Sequence, residues 1–197
     1  MESAVASRAL ADQEESGDAA MVRVFPQTAV IAAVDGLGHG AAAASAARQA
    51  VAILGESDAA NPAAALERCH AALRSTRGVT LSFACFDGGR GVMTWCGVGG
   101  VQGVLVRSDP EATPREVALL LKAGVVGRQL PAVHAATLKV APGDLLIFTT
   151  DGISPHFARS VSAGDSPRRI ADRILARHWL GSDDALVVTA RYRGVEA

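Results

Sequence analysis

The sequence predicts an α+β fold built on antiparallel sheets, and three observations carry that prediction. Apolar residues alternate with period two through neighbouring segments, above all across 79–106. Two helical segments follow one another over 41–75 instead of alternating with strands, the pattern of helices segregated from antiparallel sheets. Pro26-Gln27 separates two apolar strands by only two residues, a connection that points to an antiparallel hairpin.

Taken in order, residues 1–10 suit an edge strand or a frayed end. Asp12-Gln-Glu-Glu-Ser-Gly-Asp18 crowds four acids around a Ser16-Gly17 turn, and Ala20–Phe25 follows as a strand. After the Pro26-Gln27 reversal, 28–34 forms a strand that ends in Asp35-Gly-Leu-Gly-His-Gly40. Segment 41–54 is almost all alanine, a helix by propensity, and Gly55 ends it. A second helix is expected over 63–75, with Asn61 as N-cap and Pro62 at its first position. Strands at 79–86, 91–96 and 101–106, punctuated by Gly88-Gly89 and Gly97-Val-Gly-Gly100, read as a three-stranded meander. Further strands are expected at 116–121 and 133–140. The turn Ala141-Pro-Gly-Asp144 launches another at 145–150, which stops at Asp151-Gly152. A helix is clearest over 167–178, and Asp183-Asp184 opens the last strand, 185–192. No internal repeat, low-complexity tract or linker divides the 197 residues, so one domain is expected over 1–197, with its core at about 15–192.

Composition narrows the function classes. Lys+Arg total 19 against Asp+Glu 20, a net charge of −1, so no basic field favours nucleic acid or anionic lipid. Lysine is nearly absent, at Lys122 and Lys139 alone. Cys69, Cys85 and Cys96 lack CxxC spacing and sit in apolar segments, as buried reduced thiols do in a cytosolic protein. No signal peptide is visible, and no apolar run approaches the roughly 18 residues of a membrane helix. A cytoplasmic monomer is expected.

Four acids stand at strand ends: Asp18, Asp35, Asp151 and Asp183 or Asp184. Asp-Gly at a strand end is by itself commonly just a turn. Together, carboxylates gathered without Lys or Arg partners repel one another, and such a cluster normally holds cations. Oxygen ligands favour Mg²⁺ or Mn²⁺, while no Cys or His cluster favours zinc. Two such ions roughly 3.5–4 Å apart can activate a bridging water and clamp a phosphoryl group, so the implied chemistry is metal-assisted phosphoester hydrolysis.

Ser16-Gly17-Asp18, Asp35-Gly36-Leu37-Gly38-His39-Gly40, Gly143 through Asp151-Gly152-Ile153, and Ser182-Asp183-Asp184 resemble, in order, the motifs of the metal-dependent PPM (type 2C) protein phosphatases. The bacterial SpoIIE-like branch is the most similar. Within it the short chain, Cys96–Gly103 and Gly124–Gly127 are similar to the stressosome phosphatases. The resemblance implies a four-layer αββα sandwich of two antiparallel β-sheets flanked by helices. It also implies hydrolysis of phosphoserine or phosphothreonine with two Mn²⁺ or Mg²⁺ ions, on phosphorylated STAS-domain stressosome proteins in bacterial stress signalling. By motif, Asp18 and Asp35 would ligate metal, Asp35 bridging both ions and Gly36 adding its carbonyl. Asp151 and Asp183 would complete one ion, with Asp184 behind.

The chain departs from that pattern in places. Many relatives carry acids for a third metal where this chain reads Arg77-Gly78-Val79-Thr80 and Gly97-Val98-Gly99, so a dinuclear site is expected. Leu186 replaces the usual Thr after the Asp pair. No inserted flap and no amino-terminal PAS, GAF or coiled-coil segment is visible.

His39 could donate a proton to a leaving oxygen, cap the next helix or face solvent; His70, His134, His156 and His178 show no informative spacing. A dinucleotide-binding turn fails because Asp35 would face the pyrophosphate. A histidine-kinase-like ATPase needs an Asn-bearing helix, and Asn61 is the lone asparagine; no GKS or GKT phosphate loop occurs. The rival is a scaffold of the same fold that binds a phosphoprotein without hydrolysing it, disfavoured because all four acids are kept.

Overall fold

The computed structural model describes residues 1–11, 13–56, 61–162 and 164–194; Asp12 of the expected acidic turn lies outside the described residues. Ten strands make two antiparallel five-stranded sheets. One has the order β2(Asp18–Val24), β3(Thr28–Gly36), β4(Val79–Asp87), β5(Val92–Val98) and β8(Ala136–Lys139), with β2 placed first. The other runs β1(Glu2–Arg8), β10(Ala185–Arg191), β9(Leu145–Thr149), β6(Gln102–Val106) and β7(Glu116–Ala118). Helices α1(Ala41–Gly55) and α2(Pro62–Ala72) cover the outer face of the first sheet, and α3(Pro167–His178) covers the second. This is the αββα sandwich.

The strand alternation builds the layers. Along β3, Val30, Ala32 and Val34 face the helices, whereas Ala29, Ile31 and Ala33 face the opposite sheet. Phe86, Met93 and Trp95 of the first sheet meet Leu146, Phe148 and Val188 of the second in the central layer. Each such fully buried side chain stabilises by roughly 1.5–3 kcal/mol relative to exposure. On β9 and β10, Leu145, Ile147, Ala185 and Val187 point the other way, under Ile170 and Ile174 of α3. The alanine face of α1, with Ala43, Ala44, Ala46, Ala47 and Ala50 buried, lets that helix sit close on β2 and β3.

Residues 2–8 are an edge strand, paired along their whole length with β10, so ordered structure begins well before residue 15. The Pro26-Gln27 reversal is a hairpin closed by the Phe25 amide on the Thr28 carbonyl, at 2.8 Å. Asn61 caps α2 by accepting the Ala64 amide at 3.1 Å, though the helix stops at Ala72, where Thr76 Oγ1 donates to the Leu73 carbonyl.

The expected three-stranded meander is wrong. β4 and β5 pair, but β6 lies in the other sheet between β9 and β7. The glycine break is the cause: Gly99, at φ 90°, crosses the chain between sheets, and buried Ser82 donates to the Val101 carbonyl at 2.6 Å to fix the crossing. The strand expected at 116–121 is likewise only Glu116–Ala118. Beyond it the chain returns to the first sheet through isolated bridges from Lys122 to Val98 and Val126 to Val79.

Candidate active site

The strand-end acids come to one end of the sandwich, Asp18 and Asp35 from one sheet and Asp151, Asp183 and Asp184 from the other. Asp18 opens β2 and stands opposite Asp35 near the end of β3; Asp35 in turn faces Thr80 of β4. In the other sheet β9 ends at Thr149 and runs into Thr150-Asp151-Gly152, while Asp183-Asp184 immediately precedes β10. Because β9 and β10 are antiparallel neighbours, the end of one and the start of the other coincide.

Two threonines, which the sequence reading did not single out, orient the first pair. Thr150 Oγ1 donates to Asp18 Oδ2 at 2.7 Å and accepts the Leu186 amide at 2.9 Å, joining the two sheets. Thr80 Oγ1 donates to Asp35 Oδ2 at 3.1 Å. Their signals were adjacency to Asp151 for the one and a place at the start of a strand for the other.

The two glycines beside the acids are packing requirements. A β-carbon on Gly36 would stand 2.2 Å from the Ala43 carbonyl oxygen in the first turn of α1. One on Gly152 would stand 1.9 Å from the Asp184 carbonyl oxygen, so the two acid-bearing loops of the second sheet touch backbone to backbone. That contact is reinforced by the Leu180 amide on the Gly152 carbonyl at 2.9 Å and by Trp179 Nε1 on the Asp183 carbonyl at 3.0 Å.

Asp183 and Asp184 have different surroundings. Asp184 is buried, and its carboxylate accepts the Leu10 amide at 2.7 Å and the Gly17 amide at 2.6 Å, which ties down the loop leading into Asp18. Asp183 is half-buried, and among the described residues its carboxylate accepts only its neighbour's amide, at 2.8 Å.

The acids feel one another. Burial pushes the Asp18 carboxyl up to about 8, with further upward push from Asp35, Asp184 and Asp151, against the Thr150 hydrogen bond. Burial also raises Asp35, to about 7, helped by Asp151, Asp183 and Asp184 and opposed by Thr80. Asp151 is raised by burial and by Asp183, while amides of its own loop pull it back. None of these five acids is in an ion pair with Lys, Arg or His among the described residues. The site thus has concentrated negative charge and no protein cation to balance it.

A divalent cation is the natural counter-charge. Among the described residues no three acid, His or Cys side chains close into a cage around a single point. The donors instead fit ions held by one or two carboxylates with water filling the remaining positions, the usual habit of Mg²⁺. His39 is exposed, and it neither caps α1 nor makes another hydrogen bond among the described residues. His70 and His178 are tied to Gly127 and Ser160 away from the acids.

A family model described as stage II sporulation protein E (SpoIIE) matches residues 26–193. Asp18 lies ahead of that range. No curated protein sequence matches the chain. Among solved structures, a chain described under "The bacterial stressosome: a modular system that has been adapted to control secondary messenger signaling" superposes with a TM-score of 0.88 and 25% identity, covering 96% of this chain and 98% of that one. RsbX in complex with magnesium gives 0.84 at 21% identity, covering 95% and 92%. The PP2C phosphatase domain of SpoIIE from Bacillus subtilis, with a fragment of its regulatory domain, gives 0.78 at 22% identity, covering 98% and 63%.

Proposed function

Since the chain belongs to the SpoIIE family, we propose that it is a Mn²⁺- or Mg²⁺-dependent phosphoserine/phosphothreonine protein phosphatase. The observation that carries this reading is the gathering of five acids from two sheets at one edge, without a protein cation among the described residues. In this reading Asp35, the Gly36 carbonyl, Asp18, Asp151 and Asp183 would together hold the two ions, with Asp35 central among them. When bound, the ions supply an activated water and offset charge on the phosphoryl oxygens. Thr80 and Thr150 hold the Asp35 and Asp18 carboxylates in orientation, and Asp184 holds the backbone that presents Asp18. The reaction forms a bond from the water oxygen to phosphorus as the ester P–O bond breaks, and the serine or threonine oxygen leaves with a proton.

The finer reading is a stressosome phosphatase of the RsbX kind, acting in the cytoplasm on phosphorylated STAS-domain proteins. Its support is the Cys96–Gly103 and Gly124–Gly127 motifs and the likeness to the stressosome-associated and RsbX structures. No described helix is long and apolar enough to cross a membrane.

Hydrolysis of p-nitrophenyl phosphate tests the chemistry. Turnover should require Mn²⁺ or Mg²⁺, stop with EDTA, and fall by roughly 100-fold or more in Asp35→Asn. Activity that survives both EDTA and the substitution would overturn the two-ion mechanism. Phosphate release from a purified phospho-STAS protein tests the substrate, and no release where the small ester turns over would count against it.

A further inference from the structure

We propose that Arg77 is the residue of this chain that binds the phosphoryl group of the substrate, a role that rests on the phosphatase reading above. Arg77 sits in the loop entering β4.

Its loop is rigid and joined to the acid site. Thr76 Oγ1 donates to the Leu73 carbonyl at 2.7 Å and accepts the Gly78 amide at 3.0 Å. Gly78, at φ 87°, occupies a conformation that favours glycine, and a β-carbon there would stand 2.6 Å from Val125 Cγ1. The Gly78 carbonyl accepts the Leu37 amide at 3.0 Å, which fastens this loop to the turn after Asp35-Gly36. Arg128 Nε donates to the Arg77 carbonyl at 3.2 Å.

The side chain lies across that turn. A β-carbon built on Gly38 would stand 2.8 Å from Arg77 Nη1, so the guanidinium covers the glycine two residues beyond Gly36. It is exposed, and among the described residues it makes no ion pair and its side chain donates no hydrogen bond. An exposed arginine over the turn that follows Asp35-Gly36, with no acceptor for its side chain among the described residues, keeps its guanidinium donors for an incoming group.

Charge balance says what that group is. Five carboxylates set against two divalent ions leave one negative charge, and a phosphoryl dianion approaching such a site would be repelled. A guanidinium at that turn offsets that repulsion, and its planar fork can give a phosphoryl group two parallel hydrogen bonds.

The test is calorimetric titration of inorganic phosphate into the Mn²⁺-loaded protein, comparing wild type, Arg77→Ala and Arg77→Lys, alongside p-nitrophenyl phosphate kinetics. Loss of a charge-assisted pair should weaken phosphate binding by about tenfold in Arg77→Ala, with partial recovery in Arg77→Lys. KM should rise by more than kcat falls, and Mn²⁺ affinity should stay at the wild-type value. Phosphate affinity within about twofold of wild type in Arg77→Ala overturns the assignment. So does a drop in Mn²⁺ affinity, because Arg77 would then act through the Gly36–Gly38 turn. A wild type that binds no phosphate overturns it too. A wild type that binds phosphate but hydrolyses no ester defeats the phosphatase reading alone, and the binding comparison still decides Arg77.

Discussion

Asp18 and Asp35 stand directly opposite each other in the β2–β3 register, two carboxylates on one face of an antiparallel pair. Like charges in that position destabilise a sheet, and burial, more than any one neighbouring charge, raises the proton affinity of both groups. A fold that keeps such a pair holds its site at a cost in stability that a bound cation can offset.

The first prediction follows from the direction of those shifts. Asp18 at about 8 and Asp35 at about 7 both lie above the ordinary value of 3.8. The folded metal-free protein therefore holds protons that the unfolded chain releases, and these groups make stability fall as pH rises from near 4 to near 8. The thermal midpoint of the metal-stripped protein should be lower at about pH 8 than at about pH 5, and Mn²⁺ should raise it more at the higher pH. A metal increment that shrinks with rising pH would contradict the site.

Asp183 and Asp184 should separate in two different assays. Asp183→Asn removes a carboxylate with few protein commitments, so metal affinity and turnover should fall by roughly 10–100-fold with the thermal midpoint of the metal-free protein nearly unchanged. In Asp184→Asn the amide has one acceptor for two backbone donors, at Leu10 and Gly17. Unfolding free energy should fall by about 2–4 kcal/mol, read by urea denaturation. The reverse assignment would mean that the two roles are exchanged.

Thr150→Val keeps the shape and deletes the hydroxyl that touches both Asp18 and the Leu186 amide. The buried amide then loses its partner, costing about 1–3 kcal/mol, and Mn²⁺ binding should weaken because Asp18 is no longer oriented. Unchanged Mn²⁺ affinity in calorimetry would show that Asp18 needs no such support.

Gly152→Ala should fail for backbone reasons alone. The β-carbon would overlap the Asp184 carbonyl, 1.9 Å away, and neither loop can move without displacing an acid. A loss of about 3 kcal/mol or more is expected, or no folded protein, as judged by circular dichroism and gel filtration. A variant of wild-type stability would mean that the two loops separate freely.

Much of this was legible because strand ends and acids coincide in the sequence. Thr28–Gly40 reads as a strand delivering Asp35 to a glycine turn, and the hairpin through Pro26-Gln27 makes Asp18 its partner once register is counted back. The α3 boundaries follow from Ser166, which accepts the Arg169 amide, and from Pro167 at the first position. What period-two alternation does not encode is sheet membership: β4, β5 and β6 carry the same pattern, yet β6 belongs elsewhere because Gly97-Val-Gly-Gly100 is a crossing and not a tight turn. Thr80 and Thr150 were not singled out as site residues because each bonds an acid that is distant in sequence, Asp35 and Asp18.

Asp18 and Asp35 hang from one sheet, Asp151 and Asp183 from the other, and no strand of one sheet is paired with a strand of the other among the described residues. The gap between the two pairs of carboxylates is therefore set like the opening of a caliper, by the thickness of the side chains clamped between its jaws. Phe86, Trp95 and Phe148 thus bear on the spacing of the acids, because shaving one of them lets the jaws close.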